Sequence, residues 1–264
     1  METNKYIIDF YNNYDEDNRL TLNHGQVEFR TTMRYIEKYI KEGDRVLEIG
    51  AATGRYSHTL ARQGYKVDAV ELVEHNIDIF RKNTLPTEDI TITQGNALDL
   101  SIIPDNQYDI TLLLGPMYHL YTEADKRQAL SEAIRVTKRG GVIFVAYVIS
   151  DICVLEEGFY RKKFSIAEYI RNGLIDPKTF ATISEPKDLF ELVRKENIDK
   201  LMATLPTTRL HYVASNGLSQ LLRETIDNMD HETFDLYLKY HFAVCEREDM
   251  VGSTSHALDI FRKN

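Results

Sequence analysis

The chain has 264 residues, 43% of them hydrophobic, and 32 Lys+Arg against 41 Asp+Glu give a formal net charge of −9. That length suits one large α/β domain, or such a domain with an insertion, and is ample for a core. The acidic balance argues against a phosphate backbone as partner, and the lack of any 18-residue apolar run or basic-then-apolar leader predicts a soluble cytoplasmic chain with no membrane segment.

Residues 1–41 read as an N-terminal helical cover. Tyr6, Ile7, Phe10, Tyr11 and Tyr14 recur at helical spacing. Asp15-Glu16-Asp17-Asn18 breaks that pattern, and Val27, Met33, Ile36 and Ile40 mark a second helix ending near Gly43.

Over 42–149 apolar strands alternate with helices. Strands are predicted at 45–49, 66–71, 90–93, 108–114 and 142–148, with helices near 54–63, 73–83 and 122–138. Lys138-Arg139-Gly140-Gly141 reads as the stop of the third helix, basic residues followed by glycine. Such alternation implies a mostly parallel sheet covered on both faces.

Residues 150–205 interrupt the alternation with charged, short helical patterns and read as an inserted lid. It carries Phe159, Tyr160, Phe164, Tyr169, Phe180 and Phe190, aromatics suited to enclosing a partly apolar ligand. Residues 206–264 complete the sheet, with strands near 208–214 and 255–262 and a long helical stretch between them.

The most informative run is Val46-Leu47-Glu48-Ile49-Gly50-Ala51-Ala52-Thr53-Gly54. A strand ends in an acid, then small residues lead into a helix, which lets the backbone approach a ligand closely. The second strand, Lys66 to Glu71, also ends in an acid, placed to accept from both hydroxyls of a ribose. The nicotinamide-dinucleotide fingerprint fails, because Ala52 and Arg55 stand at its second and third glycines, and no phosphate-binding Gly-Lys-Ser/Thr follows.

This pair of motifs resembles the first two of the class I S-adenosylmethionine (SAM) methyltransferases, in which the loop reads Gly-x-Gly-x-Gly. Here Gly50, Ala52 and Gly54 hold those places. Alanine does not take positive φ freely, so Ala52 reads as a tolerated departure. The nearer likeness is to the small-molecule group that includes the ubiquinone- and menaquinone-biosynthesis methyltransferases (methyltransferase type 11). The ending Ser255 to Lys263 resembles that group's last strand, which runs antiparallel between strands five and six. The resemblance therefore implies an α/β, doubly wound, seven-stranded Rossmann-like sheet with a helical cover and an inserted helical lid.

It also implies a site for SAM. Glu71, followed by Leu72, would take the ribose. Asn96 and Ala97, standing where the family has an acidic turn, would take the adenine. Glu48, the Gly50, Ala51, Ala52 and Gly54 backbone, and the Leu114 and Gly115 carbonyls would meet the methionine end. A sulfonium prefers π surroundings, which tyrosines provide. Leu114-Gly115-Pro116-Met117-Tyr118-His119 lies where amide-nitrogen methyltransferases carry Asn-Pro-Pro-Tyr, but Gly115 lacks the accepting side chain. Tyr118 and His119 remain as candidate catalytic groups, the histidine as a base near its ordinary pKa or merely as a cap. Tyr11, Tyr14, Arg19, His24 and Arg30 are candidates to close the site from the cover, an arginine serving a carboxylate.

No metal site is expected. Cys153 and Cys245 form no C-x-x-C pair, and His241 with Cys245 lacks further ligands at matching spacing. Ser57 and His58 sit in no nucleophile elbow. The expected activity is methyl transfer from SAM to a small molecule. The alternatives are an RNA methyltransferase, which the acidic charge disfavours, a non-catalytic SAM-binding regulator, and a nicotinamide-dependent reductase, which the failed fingerprint disfavours. Nothing in the sequence addresses the oligomeric state.

Overall fold

The computed structural model describes residues 2–264, so residue 1 of the expected cover lies outside the described residues. The cover consists of α1 (Glu2–Tyr11) and α2 (Asn23–Tyr39). The alternating core follows as β1 (Arg45–Ile49), α3 (Arg55–Arg62), β2 (Lys66–Glu71), α4 (Glu74–Asn83), β3 (Ile90–Gln94), β4 (Tyr108–Leu113), α5 (Glu123–Val136) and β5 (Thr137–Ile149). The insertion holds α6 (Ser150–Cys153), a π-helical stretch (Val154–Tyr160), α7 (Ile166–Arg171), the two-residue β6 (Leu192–Val193) and α8 (Lys195–Met202). Then come β7 (Thr207–Ala214), α9 (Arg223–Asp227), α10 (His231–Val244) and β8 (His256–Lys263).

The strands join in the order β3-β2-β1-β4-β5-β8-β7. The first five are parallel, and β8 runs antiparallel to both β5 and β7. Expected boundaries of β1 and β2 coincide with the observed ones, because each is a short, largely apolar run with an acid at or next to its end. The alternation of side chains along β1 sends Leu47 and Ile49 into one core with Leu113, Leu130 and Val145. Val46 goes to the opposite face with Ile36, Leu60, Leu112 and Phe144. Helices therefore cover both faces, which is why the parallel strands read as nearly unbroken apolar runs.

Two features depart from the sequence reading. The expected helix stop at Lys138 to Gly141 belongs to β5. Helix α5 ends at Val136, Thr137 already pairs with Tyr108, and pairing resumes at Val142 with Ile110. Residues 138–141 thus bulge opposite Asp109, whose carboxylate holds the Lys138 ammonium at 2.7 Å. Basic residues before glycine satisfied a strand bulge here rather than a helix C-terminus. The insertion, read as helical only, also contributes β6, which lies parallel to the end of β5 and makes the sheet eight-stranded.

The aromatics of the insertion do not wall a cavity. Phe159, Tyr160 and Phe180 are exposed, and Phe164 stacks on Tyr169 with ring centroids 4.3 Å apart. Phe190 alone of the six packs against the loop after β4, on Tyr118 and His119 at 5.8 and 5.4 Å.

Among the described residues no helix is long and apolar enough to cross a membrane. His241 and Cys245 are both buried, and the Cys245 thiol lies 3.6 Å from the Tyr35 hydroxyl.

Candidate active site

Chain order places β2 on one side of β1 and β4 on the other. Ligands in open α/β sheets bind at such a reversal, outside the carboxyl ends of the strands. A cavity of about 470 Å³ opens there, a size typical of small-molecule sites.

Its floor is the loop after β1. The Gly50 and Ala51 N–H groups both donate to the Val70 carbonyl, at 2.8 and 3.1 Å, which folds the loop back over β2. A Cβ on Gly50 would stand 2.7 Å from the Pro116 ring, so this residue lets the β1 and β4 loops meet. Ala52 adopts φ of +48°. The middle position of the motif thus holds a left-handed alanine, a strained conformation outside glycine. Its N–H donates to Glu71 Oε2 at 2.8 Å, which pins the strained residue.

Glu71 itself is buried and also accepts from the Val73 N–H at 2.8 Å and, more distantly, from Asn76. Burial raises its pKa, against those hydrogen bonds. A carboxylate offers about four lone-pair positions, so these bonds leave capacity for a hydroxyl pair. Leu72, Asn96 and Ala97 stand beside it on the cavity wall. The Asn96 side-chain oxygen caps the Leu98 N–H at 2.9 Å, the turn role common to asparagine.

Glu48 lies at the other end of the loop. It is 2% exposed and accepts from the Ser57 N–H and hydroxyl at 3.0 and 2.5 Å. Burial without a cation pushes its carboxyl up to about 8, the Ser57 bonds opposing. A ligand ammonium is the natural complement of such a group. Leu114 and Gly115 line the same end, and the Leu114 carbonyl accepts from the Tyr118 hydroxyl at 3.0 Å. This set of groups fits SAM: a buried carboxylate to accept from its ammonium, a second to accept from its diol, and four tyrosines, Tyr11, Tyr56, Tyr118 and Tyr121, around the space between.

The roof comes from the cover and the insertion. Tyr11 on α1 donates its hydroxyl to His119 Nε2 at 3.1 Å, while His119 Nδ1–H donates to the Leu189 carbonyl at 2.9 Å. Cover, β4 loop and insertion therefore meet at one imidazole. Burial lowers the His119 pKa to about 4, against the help of the Leu189 carbonyl. The expectation of a base near 6.5 is corrected: desolvation makes this ring neutral and weakly basic, and its one lone pair is engaged.

The remaining cover residues divide. Arg19 lines the cavity, donating from Nε to Glu16 at 2.8 Å and from Nη1 to Glu28 at 3.1 Å. Tyr14 instead stacks on Phe10, 4.8 Å between centroids, outside the lining. His24 and Arg30 also lie outside it. His24 pairs with Asp227 at 2.7 Å, and Arg30 sits over the Phe234 ring near Asp235, because α2 turns those positions toward α9 and α10. Gly54 starts α3 behind the cavity wall rather than on it.

Several lining residues escaped the sequence reading: Glu16, Glu28, Thr32, Tyr56, Ser215 and His256. Glu28 and Thr32 sit four apart on α2, a spacing that reads as an ordinary polar stripe. His256 opens β8, and only the sheet topology brings it to the cleft.

Residues 46–141 match the family model described as a methyltransferase domain. A candidate ribosomal RNA large-subunit methyltransferase of Methanocaldococcus jannaschii is 34% identical over 110 residues, 38% of this chain and 28% of that protein. The demethylmenaquinone methyltransferase of Clavibacter sepedonicus is 29% identical over 103 residues, 39% of this chain and 40% of that protein. The chain thus spans well under half the length of these curated relatives. Among solved structures, a SAM-dependent methyltransferase of Thermotoga maritima, described as a possible histamine N-methyltransferase, superposes with a TM-score of 0.56 at 19% identity. That match covers 97% of this chain and 98% of the other, and it speaks for the fold alone.

Proposed function

We propose that this chain, whose residues 46–141 match a methyltransferase domain, is a class I SAM-dependent methyltransferase that transfers the methyl group of SAM to a small-molecule acceptor. Bound SAM supplies an electrophilic methyl on a sulfonium, and the protein's part is to hold both partners in line and exclude water.

The observation that carries the small-molecule reading is the roof. Helix α1 lies along the cavity through Tyr11, whose hydroxyl bonds His119, and the Leu189 carbonyl of the insertion holds the other side of that ring. The cavity, about 470 Å³ and open on one side, suits ligands of metabolite size rather than a folded macromolecule. The net charge of −9 adds to this against a polyphosphate acceptor. Likeness to a protein named for ribosomal RNA covers only 38% of the chain. With methyl-tritiated SAM and a cell extract, label is expected in the small-molecule fraction. Label confined to RNA or protein overturns this reading, and binding of SAM with no transfer to any fraction favours a regulatory role.

The roles follow the geometry. Glu71 takes the ribose hydroxyls, Asn96 and Ala97 the adenine, and Glu48 with the Leu114 and Gly115 carbonyls the methionine ammonium. The Glu48 assignment makes a pH prediction. With its carboxyl pushed up to about 8, Glu48 is mostly protonated at pH 7 and must release its proton to pair with an ammonium. Affinity for S-adenosylhomocysteine, which keeps that ammonium, is expected to rise about fivefold from pH 7 to pH 8. Calorimetry in buffers of different ionisation enthalpy checks this, since binding at pH 7 should release close to one proton. In the ligand-free protein the sign is opposite. A raised carboxyl contributes stability that is full below the unfolded pKa and is lost as pH rises through about 8. A flat affinity from pH 7 to pH 8 with no proton release removes Glu48 from the ammonium.

A further inference from the structure

Beyond the methionine end, the cavity is walled by α2 and by the start of β8. Two histidines line the cavity, and each has its accepting nitrogen engaged. At His119 the Nδ1–H goes to Leu189, so the Nε2 lone pair receives the Tyr11 hydroxyl. At His256 the neighbouring Asn216 decides. Its side-chain oxygen accepts from the His256 backbone N–H at 3.2 Å. Its amide nitrogen therefore donates, to Ser255 Oγ at 2.8 Å and to His256 Nδ1 at 3.2 Å. An accepting Nδ1 places the proton of a neutral ring on Nε2. Burial also lowers the His256 pKa and raises those of Tyr11, Tyr56 and Tyr118. No imidazole lone pair on this wall is free to take a proton from an incoming hydroxyl or thiol.

The cavity lining as a whole carries six carboxyl groups against two guanidiniums, Arg19 and Arg55, and Arg55 sits over the Phe29 ring. One guanidinium, Arg19, is shared between Glu16 and Glu28. Burial pushes Glu28 upward, and Arg19 outweighs it, holding the carboxyl below the usual range. Glu28 Oε2 lies 3.7 Å from His256 Nδ1, which Asn216 keeps as an acceptor and so unable to donate to it.

Resting on the small-molecule methyltransferase reading, we propose that the acceptor is a small amine whose nitrogen sits beside Glu28. The acceptor arrives as an ammonium and loses one proton to solvent before it reacts. The lone pair of the uncharged amine attacks the methyl carbon, the carbon–sulfur bond breaks, and its electron pair stays on the sulfur. The positive charge of the sulfonium reappears on the methylated nitrogen, where Glu28 and Glu16 stabilise it. An alcohol or thiol gives a neutral product once its proton is lost, so it draws no lasting stabilisation from these carboxylates. A carboxylate acceptor would meet like charge.

The test uses protein saturated with S-adenosylhomocysteine and a set of aryl-ethyl primary and secondary amines, each paired with its isosteric alcohol and carboxylic acid. Binding is followed by NMR on the His256 ring and by calorimetry. Amines are expected to bind at least tenfold more tightly than their partners. Glu28→Gln should remove that preference while changing S-adenosylhomocysteine affinity less than twofold. Should Glu28→Gln misfold, Glu16→Gln should weaken amine binding three- to tenfold. Equal or tighter binding of alcohols or acids, no amine bound, or a preference that survives both substitutions overturns the proposal. Failure to bind S-adenosylhomocysteine, seen before any amine is added, refutes the methyltransferase reading instead.

Discussion

Gly54→Ala is expected to lower the stability of the fold by about 3 kcal/mol. Gly54 has φ of +90°, and a left-handed backbone costs a non-glycine residue about 1–2 kcal/mol. A Cβ there would also stand 2.5 Å from the Phe80 ring and 2.7 Å from His58. Phe80 on α4 is fully buried against Ala51, Ala69, Ile90 and Ile92, so the ring has little room to retreat, and such overpacking adds about 1–3 kcal/mol. Urea unfolding of the two proteins measures the sum. A loss below about 1 kcal/mol would mean that the start of α3 shifts away from Phe80 at little cost.

Glu71→Ala should weaken S-adenosylhomocysteine binding by about 2 kcal/mol or more, roughly thirtyfold, as expected for losing charge-assisted contacts to a diol. The change has a second consequence. The Ala52 and Val73 N–H groups lose their acceptor, and the left-handed Ala52 loses what pins it. Glu71→Gln separates the two effects, because its amide oxygen still accepts one N–H. Calorimetry on both variants, with circular dichroism to show that each is folded, is the measurement. A folded Glu71→Ala protein that binds with unchanged affinity would take the ribose away from this residue.

How far the sequence spoke for itself depended on how local each signal was. Strands β1 and β2 and the acids that close them were legible because apolar runs, small residues and a charged end lie within a dozen positions. The bulge at 138–141 was not, since its logic lies in Asp109 on the neighbouring strand. The same holds for the cavity. Glu48, Gly50 and Glu71 sit in motifs, whereas Glu28 and His256 are brought together by α2 and β8 from opposite ends of the chain. Helical spacing placed His24 and Arg30 near Glu28 in sequence but could not say that α2 turns them toward Asp227 and Asp235 instead. The His119 tautomer depends on Tyr11 and Leu189, 108 and 70 positions away.

The placement of β8 bears on how the molecule is made. This strand fills the seam between β5 and β7, and its Leu258, Ile260 and Phe261 are buried to 1% exposure or less. Until residue 263 has been synthesised, β5 presents an unpaired edge lined with Val142 to Val148, and β7 has no neighbour at all. Bare apolar edges of that kind recruit other chains. The sheet also closes by contacts between residues more than a hundred positions apart, which are slow to form. Before β8 docks, the folding chain therefore presents a sticky, unfinished seam, and a chaperone that shields it would favour completion of the sheet over association.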